Sequence, residues 1–250
     1  MLGISDYEYN DEKPYYYGLL ASGTLSLVSS KLGSIFFKPK EKSVNDIEKA
    51  INTVIFETTD LGKTGLKIKN MTSFEDSDFK NWPKFLNPER GIVLGKNAAY
   101  TREAIELNME KMPLAAFHEI GHAFNQQHSK VLKAIQNMRP ILVGLGILAT
   151  FLPRLIKPTY KYDDEQMTLG EKVKNKVRKL SPAIAAACYA PVVVEEGIAS
   201  IRASQFAKPL LEPENYKKMA RGNICGFLTY FLGSMSLALL AKYQLAKNDC

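Results

Sequence analysis

Four stretches of this 250-residue chain run without a charged side chain for long enough to constrain its fold. Gly222 to Ala241 matches the roughly 20 residues that a helix needs to cross the hydrocarbon of a bilayer. Pro140 to Pro153 and Leu180 to Val194 are shorter. Taken singly, each reads as a buried helix of a soluble core. Taken together, they flank a charged segment, Lys157 to Lys179, and form the two arms of a helical hairpin. Arg139, Arg154 and Lys179 can snorkel to lengthen both arms. Pro14 to Ser30, rich in Tyr, Ser and Gly, reads equally as a span or as a packed helix. Its acidic leader (Asp6, Glu8, Asp11, Glu12) is unlike that of a cleavable signal peptide. An integral membrane protein is the expected class.

Composition enters as a check on that reading. Apolar residues make up 46% and charged residues 24%, which excludes a disordered or fibrous chain. The net charge of +7 invites nucleic acid as a partner. The basic residues cluster at the borders of apolar runs instead of interleaving with aromatics on one face, so no nucleic-acid partner is expected. Three cysteines (Cys188, Cys225, Cys250) cannot build a disulfide framework.

The polar part reads as a small mixed unit. Ser43 to Thr59 has helical period behind a candidate N-cap at Ser43. Gly65 to Lys69 alternates like a short strand, residues 70–90 read as a loop, and Gly91 to Gly95 (GIVLG) reads as a second strand. Helical period returns from about Thr101 to Met138, restarting at Pro113. The expected fold is mainly α with a small β element. The expected segments are 1–37 (N-terminal hydrophobic segment), 38–138 (polar region), 139–194 (hairpin), 195–221 (a ligand-bearing helix) and 222–250 (a C-terminal span and tail).

One motif carries chemistry. His118-Glu119-Ile120-Gly121-His122 is HExxH on a helical stretch, where i,i+4 spacing puts both imidazoles on one face to share a Zn2+ ion. Glu119 then stands beside the metal as general base for a bound water. A third protein ligand is needed. His128 completes the metzincin spacing HExxHxxGxxH, with Asn125 in place of the glycine. Yet Val131, Leu132, Ile135 and Met138 continue the helical period, and in an unbroken helix His128 points about 100° away. The rival is acidic: Glu195 and Glu196 end an apolar run, where carboxylates are costly without partners. Small residues Ala199, Ser200, Ala203 and Ala207 share a helical face with Glu196, whereas Glu195 faces with Ile198 and Arg202. That favours Glu196, with Ser200 or Arg202 as candidates to support a ligand.

His118 to Ala123, the two apolar runs and Glu196-Gly197-Ile198-Ala199-Ser200-Ile201-Arg202-Ala203 together resemble the membrane neutral zinc metallopeptidases of the YugP type. The likeness covers about Gly91 to Phe206 and extends more distantly to membrane gluzincins of the heat-shock and CAAX-prenyl type. It implies a zinc endopeptidase with a zincin-like core. Its ligands would be His118, His122 and Glu196, its base Glu119, and its hydrophobic hairpin would lie between the two zinc-binding helices. It also implies a peptide or protein substrate, contact with membrane lipid, and a GIVLG strand that takes substrate backbone by β-addition. The positive-inside count nearly ties, and the resemblance tips the zinc site to the cytoplasmic side. Two alternatives stay open: a membrane scaffold with a structural or vestigial zinc site, and a metzincin-like protease using His128.

Overall fold

The computed structural model describes residues 12–39, 43–159 and 167–248. It is mostly helical with one small sheet. The helices are α1 (Lys13–Phe36), α2 (Val44–Thr53), α3 (Arg90–Val93), α4 (Ala116–His128), α5 (Lys130–Leu155), α6 (Leu169–Ala207) and α7 (Pro213–Asn248). The strands are β1 (Lys67–Asn70), β2 (Ala99–Thr101) and β3 (Ala104–Leu107). The sheet order is β1-β3-β2, with β1 parallel and β2 antiparallel to the central strand.

The chain divides into two compact units. One comprises 26–138 and 192–230 and contains the sheet, α2, α3 and α4. Its core joins Ile47, Ile51 and Val54 of α2 and the turn after it to Ile105 and Leu107 of β3. Phe117 and Ile120 of α4 and Ala203 and Ala207 of α6 close the same core. Pro113 starts the helical turn leading into α4, a position where its missing N–H costs nothing.

The other unit comprises 1–25, 139–191 and 231–250, and its described secondary structure is helical. Here α5 and α6 pair antiparallel. The Tyr189 ring lies over Gly146, the Tyr189 hydroxyl donates to the Val143 carbonyl at 3.4 Å, and Arg178 Nε donates to the Pro153 carbonyl at 3.4 Å. Ser236 of α7 donates from its hydroxyl to Ser22 of α1 at 2.8 Å.

Helices α1, α5, α6 and α7 are long and apolar enough to cross a membrane. Within their most apolar stretches only 11% of α1 and 6% of α7 is buried by the described residues, which leaves most of that apolar surface for a cover beyond them. Each of the four expected apolar runs falls inside one of these helices. Cys188 and Cys225 are free thiols, and Cys250 lies outside the described residues, as do Asp6, Glu8 and Asp11 of the leader.

Four local expectations are corrected. GIVLG is not a strand: Arg90–Val93 is helical, and Gly95 closes the turn at φ 66°. Asn87 Oδ1 accepts from the Glu89 N–H at 2.8 Å, and the Ile92 N–H reaches back to the Glu89 carbonyl at 2.9 Å, so local hydrogen bonds turn the chain. Residues 104–107 are not helical but form the central strand. The expected single helix from Pro113 to Met138 is two, because Ser129 is extended (φ −137°, ψ 111°) and its hydroxyl accepts from the Leu132 N–H to start α5. The helix expected to begin near Glu196 is α6, which begins at Leu169. It passes unbroken from the hairpin arm into the ligand segment.

Candidate metal centre

Glycine 121 brings the two chemistry-bearing helices together. A Cβ there would collide with the Ala199 carbonyl oxygen of α6, so only glycine allows this approach. Ala199, Ala203 and Ala207 are fully buried along the facing side of α6. That is the small-residue face expected from the sequence.

The approach delivers Glu196 to the two imidazoles. His118 Nε2 lies 3.0 Å from His122 Nε2 and 3.2 Å from Glu196 Oε2, and His122 Nε2 lies 3.6 Å from the same oxygen. Ligands about 2.0 Å from one ion at tetrahedral corners sit about 3.3 Å apart, so the three observed edges suit a small tetrahedral cation. His118, His122 and Glu196 form a group able to hold a metal ion. Glu196 is 1% exposed, so its carboxylate has little water to answer its charge.

Each imidazole is oriented from behind. His122 Nδ1–H donates to Glu195 Oε1 at 2.9 Å, which turns its Nε2 inwards. The same Glu195 oxygen accepts from Asn125 Nδ2 at 2.8 Å and from Gln136 Nε2 at 2.6 Å. Gln136 also donates to the His122 carbonyl at 2.9 Å. Behind His118, the Ser200 hydroxyl lies 3.3 Å from Nδ1. The adjacent glutamates therefore take different places: Glu196 meets both inward nitrogens, and Glu195 holds the outward nitrogen of His122.

The two glutamates favour the protonated form of His122. Burial disfavours the imidazolium, but hydrogen bonds to Glu195 and Glu196 more than offset it and push the group up to about 10 from 6.5. A proton on His122 occupies the electrostatic role that a cation would take.

Glu119 is buried beside this group, at 8% exposure, and no described residue donates a hydrogen bond to its carboxylate. Among the described residues it is the one acid of the cluster without a protein partner. His128 stands apart: its ring stacks on Phe124 at 3.9 Å, and its Nδ1 donates to the Phe124 carbonyl at 3.2 Å. Arg202 lies over the same aromatic ring, its guanidinium 4.7 Å from the Phe124 centroid. Of the two residues expected to support a ligand, Ser200 reaches a histidine and Arg202 packs on an aromatic.

Sequence reasoning missed Asn125 and Gln136 as the clamp on Glu195. Their signal is weak, since Asn125 stands where the metzincin spacing has glycine, Gln136 belongs to no motif, and Gln136 reaches the site only because the helix breaks at Ser129. A second group of carboxylates, Asp78, Glu89 and Glu106, is answered by the chain itself. Lys69 Nζ reaches Asp78 at 2.8 Å and Glu106 at 3.3 Å, and Glu89 accepts from the Ser77 hydroxyl at 2.6 Å.

Comparison with protein-family models, with curated proteins and with solved structures finds no match to this chain.

Proposed function

We propose that this chain is a membrane-integrated zinc endopeptidase of the gluzincin type, with a zincin-like core formed by the sheet, α4 and the C-terminal part of α6. The observation that carries the reading is one cluster. Three donors at tetrahedral spacing from two helices stand next to a buried glutamate with no described protein partner. A purely structural site has no use for that fourth group.

His118, His122 and Glu196 would hold the ion. Zinc bound there supplies an acidified water and polarises a substrate carbonyl. Glu119 would serve as the general base there, holding on its carboxylate the proton of the attacking water until the leaving amine takes it. Glu195, clamped by Asn125 and Gln136, holds the His122 tautomer that presents Nε2 inwards. Ser200 steadies His118 from the other side. With GIVLG helical, substrate backbone would add at the sheet edge instead. There β2 has one neighbour, and its Tyr100 hydroxyl bonds Gln126 of the zinc helix. The substrate class is peptide or protein, and the resemblance to YugP-type peptidases favours a cytoplasmic zinc site.

The test is hydrolysis of an unstructured fluorogenic peptide by the detergent-purified full chain. Wild type should cleave in a chelator-sensitive way. Glu119→Gln should lose about 10²–10⁴-fold in rate while retaining zinc. Equal cleavage by Glu119→Gln would overturn the reading.

A further inference from the structure

Outside the metal centre, the most unusual surface is the turn between Phe79 and Asn87. Residues 80–86 are all exposed, and among them Trp82 is 52%, Leu86 55% and Phe85 72% accessible. Three large apolar side chains exposed within five positions, with Pro83 among them, are the kind of surface that marks a binding site. The turn is built to present them. The Trp82 N–H donates to the Phe79 carbonyl at 2.9 Å, and the Leu86 N–H donates to the Pro83 carbonyl at 2.8 Å. The Phe79 and Trp82 rings meet edge to face at 5.4 Å. Underneath, the buried Asn87 amide donates to the Ser77 hydroxyl at 2.9 Å and to the Phe79 carbonyl at 3.2 Å.

Charge identifies the occupant. Lys80 and Lys84 are the charged residues of the exposed run, and no acid interrupts it. Three neighbouring acids are engaged, while Glu75 is exposed: Asp76 accepts from the backbone N–H groups of Thr72 and Ser73, Asp78 pairs with Lys69, and Glu89 is buried on Ser77. A tryptophan, a phenylalanine and a leucine flanked by lysines match the interfacial zone of a bilayer, with rings at headgroup depth and cations on anionic headgroups. A bilayer is also at hand, since the same chain carries four helices able to cross one.

We propose that residues 80–86 form an interfacial anchor that seats Trp82, Phe85 and Leu86 at the headgroup boundary of an anionic phospholipid membrane. This is independent of the metal chemistry.

Trp82 is the single tryptophan of the chain, so its emission reports this turn alone. The full chain would be reconstituted into phosphatidylcholine vesicles containing phosphatidylglycerol. Quenching would be read with lipids spin-labelled near the headgroup and with iodide present on both sides of the membrane. The anchor predicts loss of emission with the labelled lipid and protection from iodide. It also predicts loss of lipid quenching in Phe85→Glu/Leu86→Glu, at unchanged helical circular dichroism. Quenching by iodide and not by lipid would place the turn in water and overturn the proposal. Protection from both would mean that protein, a second copy or another partner, covers it, and would overturn it equally. Lipid quenching undiminished in the double variant would show that these apolar side chains do not seat the turn, and the proposal would fall on that result too.

Discussion

At the residue scale the centre depends on two neighbouring glutamates doing different work. Glu196 stands at the inward nitrogens, and Glu195 stands behind His122. Removing the latter should loosen a ligand without deleting one. Glu195→Ala is expected to weaken zinc affinity about 10–100-fold, read by competition with a chromophoric chelator. Glu196→Ala should leave no measurable high-affinity site. The His122 proton gives a pH signature. Its folded value of about 10 lies above the unfolded 6.5, so its stabilisation of the zinc-free protein is complete below about 6.5 and is lost as pH rises through about 10. The melting temperature of chelated protein should therefore fall across that window, with a shallower fall in His122→Gln. Zinc uptake at neutral pH must expel the same proton, so apparent affinity should rise with pH over the same range.

At the element scale, the α4–α6 contact is the critical one. Gly121→Ala would force a Cβ against the Ala199 carbonyl and drive the helices apart. It should cost about 1–3 kcal/mol by overpacking and reduce zinc occupancy. Gly144→Ala in α5, where a Cβ meets nothing within 4 Å, is the matched control and should leave both unchanged. A thermal melt with metal analysis reads the pair.

The same contact shows what could be read from sequence. HExxH is legible because helical spacing alone aligns its histidines, and the small-residue face of α6 is legible because Ala199, Ala203 and Ala207 recur at that period. The clamp is not legible. Gln136 joins Asn125 on Glu195 only through the break at Ser129, a backbone event that the apolar period of α5 conceals. Residues 91–95 and 104–107 exchange types between sequence and structure for a related reason. Apolar runs of four or five residues fit a strand and a buried helical turn alike, and tertiary hydrogen bonds decide between them.

At the scale of the whole molecule, the second hairpin arm and the segment bearing Glu196 are one continuous helix, so α6 carries Glu196 in a helix apolar enough to cross a membrane. The helix pair α1 and α7 uses small and hydroxyl residues in the manner of membrane helices: Ser22 meets Ser236, and the Ser26 hydroxyl donates to the Thr229 carbonyl at 2.9 Å. The lengths of these helices are legible because charge-free runs reveal themselves without tertiary context. Their sidedness is not, because lysines and arginines border both ends. Everything proposed for the site rests on a single zinc ion shared between α4 and α6, and metal analysis of the purified full chain reads that ion itself. About one zinc per chain is expected in wild type and in His128→Ala, and none in Glu196→Ala. Zinc retained in Glu196→Ala and lost in His128→Ala, or no zinc in wild type after reconstitution, would refute the shared site.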